Sequence, residues 1–134
     1  MRRIFAATIA MMGLFTGPAG AGQSYPDLKG TWIGAGSGAF VTALQFGTKA
    51  VAENVEIKLM IDQQSGKHFA GTISSSQAAQ PFSGVIKSDG SILMSQPSGF
   101  VEARLSGADA IETCYVRISA FSQLATCELL KRQK

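Results

Sequence analysis

The sequence has few of the residue types from which metal centres and active sites are built. Its 134 residues include one His, two Cys and nine Asp and Glu. No Cys, Asp or Glu lies at ligand spacing from His68, and the Gly-x-Ser-x-Gly elbow that exposes a nucleophilic Ser is absent. The carboxylates are single and scattered, so the paired acids of a glycosidase are not recognisable. We therefore predict a protein that is not an enzyme, with no catalytic residues, no metal site and no cofactor.

The chain also lacks the clustered positive charge that nucleic-acid binding requires. Its formal net charge is +3, but Arg2 and Arg3 belong to an apolar leader, and the rest of the chain holds ten basic and nine acidic residues. These charges are interspersed. The one basic cluster, residues 131–134, is explained by a solvated C-terminus. Domains that bind nucleic acid usually carry a basic patch or stripe, so we predict no nucleic-acid partner.

Residues 1–21 are predicted to be a secretory signal peptide. Arg2 and Arg3 precede an apolar stretch over residues 4–15, and the small side chains of Ala19 and Ala21 suit a signal peptidase. A helix of that length rises about 18 Å, short of the ~30 Å hydrocarbon core of a membrane. We therefore expect cleavage after Ala21, a single domain over residues 22–134, a periplasmic or secreted location, and no stable membrane insertion after cleavage.

After the leader there is no convincing amphipathic helix, and apolar residues alternate with other residues in short runs. In the clearest run, Val55, Ile57, Leu59 and Ile61 face one way and the residues between them face the other. The links between such runs are too short for parallel crossovers, so the sheet is an antiparallel meander, which removes its edges by closing. We predict an all-β, antiparallel up-and-down barrel of eight or nine strands. A two-sheet sandwich is the alternative.

The strand boundaries follow from the Gly, Ser, Asp and Pro residues between the alternating runs. Residues 34–38 are interpreted as a hairpin turn and not as a phosphate-binding loop, because strand residues and no helix follow them. Residues 49–52 are expected to form a connection. The predicted strands cover residues 28–36, 40–46, 55–62, 67–74, 82–86, 92–96, 100–105, 111–118 and 123–130.

Two of the predicted strands share the pattern Phe-x-Gly-x-Ile. It begins at Phe69 in one strand and at Phe82 in the next. A Gly lets a strand coil sharply and leaves inner space for a neighbouring Phe. The repeated pattern therefore fits a closed barrel.

Both cysteines lie in the last predicted hairpin. If residues 119–122 form a four-residue loop, Ile118 pairs with Gln123, and the same register places Cys114 opposite Cys127. Directly opposed Cβ atoms lie about 4.5–5.5 Å apart, which is near enough for a disulfide if the strands close slightly. A redox or metal site is the alternative, but there is no Cys-x-x-Cys and the single His lies far along the chain. We predict a structural disulfide between Cys114 and Cys127.

The first predicted strand contains a Gly-x-Trp motif, Gly30-Thr31-Trp32. This motif resembles the opening strand of the avidin and lipocalin group, the calycin-type barrels. The Asp-Gly hairpin at residues 89–90 and the basic residues after the last strand also fit that group. The resemblance implies that Trp32 covers the closed end of the barrel and that Arg132 packs over its ring, with Lys131 as the second candidate. Trp32 is the only Trp, and lipocalin motifs beyond the first strand are not recognisable. The resemblance therefore implies neither biotin nor a particular lipid as ligand.

The sequence favours a binding module, and two kinds of partner fit it. In the first interpretation a small apolar ligand lies inside the barrel, since eight strands leave room for side chains or one small ligand. In the second, the core is filled and the barrel binds or inhibits a protein or forms a homo-oligomer, with Phe121, Met60 and Met94 as candidate contacts. The residues predicted to contact an internal ligand are Trp32, Val55, Ile57, Leu59, Phe69, Ile73, Phe82 and Ile86.

Overall fold

The computed structural model describes residues 22, 24–42, 49–76, 78–120 and 122–134, without the side chains of residues 40–54. The predicted signal peptide and Phe121 lie outside this part of the chain. No helix long and apolar enough to cross a membrane is found among the described residues. The described strands are β1 (Gly30–Thr42), β2 (Lys49–Ser65), β3 (His68–Ser74), β4 (Ala79–Ile86), β5 (Ile92–Gln96), β6 (Gly99–Leu105), β7 (Ala110–Ile118) and β8 (Ser122–Arg132).

The strands form one closed antiparallel barrel. Each pairs with the next along the chain, and β1 pairs with β8 to complete the ring. The prediction of an up-and-down barrel is confirmed, and the sandwich alternative is wrong because β1 and β8 are not free edges. The described part of the chain contains eight strands, whereas the sequence pattern predicts nine. The difference arises because the predicted strands at residues 28–36 and 40–46 both overlap β1.

β1 continues through the glycine-rich segment at residues 34–38, which was expected to form a hairpin turn. Within residues 34–38 it pairs with β2 on one side and β8 on the other, and its register against β2 shifts between Gly36 and Gly38. The predicted turn is therefore wrong. A Cβ at Gly38 would overlap the methyl group of Thr126 and lie 2.5 Å from the carbonyl oxygen of Ala125. These glycines allow β8 to approach β1 closely and do not reverse the chain.

β2 is longer than its sequence pattern predicts. Because β1 continues to Thr42, the start of β2 finds a backbone partner there, and residues 49–52 belong to the strand and not to a connection. The predicted alternation over residues 55–62 is confirmed: Leu59 and Ile61 are buried, and Met60 between them is exposed.

The two Phe-x-Gly-x-Ile patterns align across β3 and β4. Phe69 is directly opposite Gly84, and Gly71 is directly opposite Phe82. The Phe69 ring lies over Gly84, where any Cβ would overlap it. It meets the Phe82 ring edge to face, with the ring centroids 6.0 Å apart. Gly84 therefore provides the inner space that its opposite Phe occupies, as the pattern predicts.

Trp32 closes one end of the barrel. Its side chain is fully buried, and its Nε1–H donates to the carbonyl oxygen of Leu28 at 3.0 Å. The guanidinium of Arg132 lies 4.1 Å from the centroid of the indole and donates to the carbonyl oxygen of Asp27 at 2.8 Å. The roles predicted for Trp32 and Arg132 are both confirmed, and Lys131 is an exposed residue that pairs with β1.

A disulfide joins β7 to β8. Cys114 and Cys127 are bonded and directly opposite in the register, and Ile118 is opposite Gln123. The predicted staple and its register are confirmed. Cys127 is exposed on the outer surface. Because side chains alternate along a strand, the residues on either side of each cysteine face the barrel interior.

Candidate functional site

Packed side chains fill only one half of the barrel. The hydrophobic core surrounds Trp32 at the closed end, and the other half holds a cavity of about 290 Å³. Along the inward face of β8, Leu130 is buried in the core, whereas Glu128, Thr126 and Leu124 line the cavity. Glu128 therefore lies at the bottom of the cavity, and the end of the barrel opposite Trp32 is its mouth.

One wall of the cavity is apolar. Val55 and Ile57 on β2 and Ile73 on β3 line this wall. β1 contributes Gly36 and Gly38, and the side chains of Glu128 and Thr126 occupy the space that their missing side chains leave. This wall can take up the hydrocarbon part of a molecule without hydrogen bonds.

The opposite wall carries a hydrogen-bonded network that joins three parts of the barrel. The hydroxyl of Tyr115 on β7 lies 3.1 Å from the carbonyl oxygen of Ser98 and 2.8 Å from its Oγ. Ser98 Oγ, in the turn between β5 and β6, donates to Gln80 Oε1 on β4 at 2.7 Å. Because these groups satisfy one another, they form a fixed polar surface.

Glu128 is a carboxylic acid buried at the bottom of the cavity. It is 7% exposed, and its Oε1 accepts a hydrogen bond from Thr113 Oγ1 at 2.9 Å. Its Oε2 has no hydrogen-bond partner in the described part of the chain. Gly36 makes room for this atom, since a Cβ there would lie 2.7 Å from Oε2. Burial raises the pKa of Glu128 above its usual value, and the interactions of its carboxyl with the side chains of Thr113 and Thr126 only partly oppose this.

The raised pKa of Glu128 makes the stability of the fold depend on pH. Between the ordinary pKa of the unfolded chain and the higher pKa of the folded chain, the folded protein binds more protons. The free energy of unfolding is therefore expected to fall as the pH rises through that interval. Glu128→Gln should remove this fall and should be the more stable protein above the folded pKa. Urea unfolding of both proteins from about pH 4 to about pH 8 measures the difference.

The matched control for this measurement is Glu112→Gln. Glu112 lies on β7 in the same hairpin and is exposed. This variant should keep the pH dependence of the wild type. If Glu128→Gln and Glu112→Gln behave alike, the pKa of Glu128 is not raised in the folded protein.

Two more buried polar atoms border the same cavity. Gln96 Oε1, at the end of β5, and Arg117 Nε, near the end of β7, have no hydrogen-bond partner among the described residues. Together with Glu128 Oε2, they are the buried side-chain atoms without a partner in that part of the chain. Buried polar atoms normally have partners, so three unpartnered atoms on residues that line one cavity set this region apart from the filled core.

The residues predicted to contact an internal ligand separate into two groups. Val55, Ile57 and Ile73 line the cavity. The other five are packed in the core at the closed end, and they are Trp32, Leu59, Phe69, Phe82 and Ile86.

Sequence reasoning missed the polar half of the site. The signal for it lies in the last hairpin: once Cys114 and Cys127 face outward, the residues next to each of them, and every second residue from those, must face inward. The inward positions that this rule assigns, and that the structure places at the cavity or beside it, are Thr113, Tyr115, Arg117, Leu124, Thr126 and Glu128.

The remaining candidates lie away from the cavity. His68 is exposed, and no group of three His, Cys, Asp or Glu residues that could hold a metal ion is found among the described residues. Of the proposed surface contacts, Met60 is exposed, but Met94 is buried in the core and cannot touch a partner.

Comparisons with known proteins find a likeness among the solved structures. No known protein family matches the chain, and no curated protein matches its sequence. The S-type phycobiliprotein lyase of Guillardia theta is similar in structure, with 10% sequence identity and a TM-score of 0.48 over 80% of this chain and 89% of that chain. The prediction that this chain is not an enzyme is corrected by that finding.

Proposed function

We propose that this protein binds a small molecule in the cavity of its open half. The observation that carries the proposal is that Gln96, Arg117 and Glu128 each present a buried polar atom without a hydrogen-bond partner, and all three line one cavity. Leaving such an atom unpaired costs about 1–3 kcal/mol. A ligand with complementary groups would remove that cost.

The composition of the cavity fits an amphipathic ligand. The apolar side chains of Val55, Ile57 and Ile73 can cover a hydrocarbon body, while the polar atoms on the opposite side fix its orientation. The volume of about 290 Å³ is close to the lower end of the ~300–1,000 Å³ range of ligand pockets. The ligand is therefore small, and we expect the five core residues at the closed end to support the site from below.

We also propose that the mature protein is an exported single domain over residues 22–134, periplasmic or secreted. The Cys114–Cys127 disulfide supports export, because disulfides persist in oxidising compartments. The apolar leader with its small-residue cleavage site supports it independently.

A variant that fills the cavity tests the proposed function. Leu124 lines the cavity near its mouth, and Leu124→Trp would place a larger side chain there. With the uncharged, solvent-sensitive dye Prodan as probe, we expect the wild type to bind the dye and shift its emission to the blue. Leu124→Trp should weaken that binding by at least about tenfold, measured by fluorescence titration.

The adjacent residue of β8 provides the matched control. Gln123 is exposed on the outer face, so Gln123→Trp adds the same ring outside the cavity and should bind Prodan as the wild type does. Equal binding by all three proteins would place the dye elsewhere. Absence of binding to the wild type would also contradict the proposed function.

A further inference from the structure

The cavity is lined by one basic and one acidic side chain. Among its lining residues, the groups that carry a formal charge near neutral pH are Arg117 and Glu128. An arginine guanidinium carries a positive charge in proteins. Burial of Glu128 favours its neutral form by raising its pKa. When Glu128 is neutral, the cavity carries one positive charge.

Arg117 has no counter-charge within the described part of the chain. No described carboxylate lies within 4.0 Å of its guanidinium, whereas Arg132, at the closed end, lies 3.4 Å from Asp109. The Nε of Arg117 is buried without a hydrogen-bond partner. Arg117 as a whole is half-buried and lines the cavity, so a guanidinium without a counter-charge there favours an anion as its partner.

Arg117 and Glu128 lie at different depths. Arg117 is opposite Leu124, and Glu128 is opposite Thr113, four residues further along β7 towards the closed end. Four residues of strand span about 13 Å. An acid group at Arg117 would therefore lie at the mouth, with room for a hydrocarbon body below it.

We propose, on the basis of the proposed function, that the ligand is a small organic acid whose carboxylate pairs with Arg117 and whose apolar body lies against Val55, Ile57 and Ile73. The flat guanidinium matches a carboxylate and can form two parallel hydrogen bonds to it. A neutral amphiphile would leave the guanidinium of Arg117 without a counter-charge, and a cationic one would be repelled by the guanidinium at the mouth. The carboxyl of Glu128 lies about 13 Å deeper than Arg117, so it opposes an anion at Arg117 only weakly.

Three probes of equal chain length test this proposal. Octanoate, octan-1-ol and octylamine differ in the charge of one end, and their binding to the wild type at about pH 7 can be compared by calorimetry. We expect octanoate to bind about 10–100-fold more tightly than octan-1-ol, the range that a charge-assisted hydrogen bond provides. Octylamine should bind most weakly.

Variants of Arg117 assign the preference to this residue. Arg117→Gln should abolish the preference for octanoate over octan-1-ol but keep the binding of octan-1-ol. Arg117→Lys keeps the positive charge but not the planar guanidinium, so this variant should retain part of the preference for octanoate. Arg104→Gln removes an exposed arginine of β6 and should leave the preference intact.

The outcomes separate the two proposals. If octan-1-ol or octylamine binds as tightly as octanoate, or if Arg117→Gln keeps the preference in a folded protein, the organic-acid ligand is overturned and the proposed function stands. If none of the three probes binds and Prodan does not bind either, both proposals fail.

Discussion

Trp32→Ala is expected to lower the free energy of unfolding by about 3–5 kcal/mol. The residue is fully buried in the core, and its indole N–H is hydrogen-bonded to Leu28. Removing the ring leaves a cavity at the closed end and takes away the surface on which the guanidinium of Arg132 lies. A loss of this size is a large share of the 5–15 kcal/mol that typically holds a domain together.

Urea unfolding followed by circular dichroism measures this loss, since the variant has no Trp left to report by fluorescence. Ile33→Ala is the control, because Ile33 is the next residue of β1 and is only half-buried. It should cost clearly less than Trp32→Ala. In the wild type, the emission of Trp32 should be blue-shifted and should move to the red on unfolding. A native emission that is already red, together with a loss below about 1 kcal/mol, would contradict the role of Trp32 as a buried plug.

The second large effect is expected from the disulfide. Replacing both Cys114 and Cys127 by Ser should lower the free energy of unfolding by about 3 kcal/mol, because the closed loop restricts the unfolded chain. Since Cys127 is exposed on the outer surface, the replacement leaves no large cavity in the core. The loss is therefore attributed to the cross-link itself.

Reduction provides an independent check on the same bond. Dithiothreitol should lower the melting temperature of the wild type towards that of the double Ser variant and should not change the variant. A wild type whose melting temperature is unaffected by complete reduction would show that the cross-link does not stabilise the fold.

Much of the barrel could be predicted because the alternation of apolar residues along the chain matches the strand register that the structure has. The strict alternation from Val55 to Ile61 assigns the two faces of β2, and the loop after Ile118 sets the register that brings the cysteines together. Trp32 was predictable because a single large apolar residue on an inward position needs burial.

The course of β1 could not be predicted from local sequence. Residues 34–38 have the composition of a turn, but their glycines are needed because β8, which lies about ninety residues further along the chain, approaches them closely. Only the long-range pairing of β1 with β8 shows that residues 34–38 belong to a strand. The same limit applies to β2, whose first residues are strand only because β1 extends to Thr42.

The site was predicted in part, because its two walls have different signals. Hydrophobic alternation identifies Val55, Ile57 and Ile73 as inward residues but does not distinguish a packed core from an open cavity. Glu128 and Arg117 were missed because charged residues are ordinarily assigned to the outside of a strand. Their inward orientation follows from the register of β7 and β8 and not from residue type.

The division of the barrel into a filled half and a binding half is tested most directly by nuclear Overhauser effects between bound Prodan and the methyl groups of the wild type. We predict contacts to Val55, Ile57 and Ile73, which line the cavity. Contacts to Ile92 and Ile111, which are buried in the core at the closed end, should be absent. Contacts confined to the core methyl groups, or to the exposed methyl groups of Ile118 and Leu129, would contradict a ligand cavity in the open half.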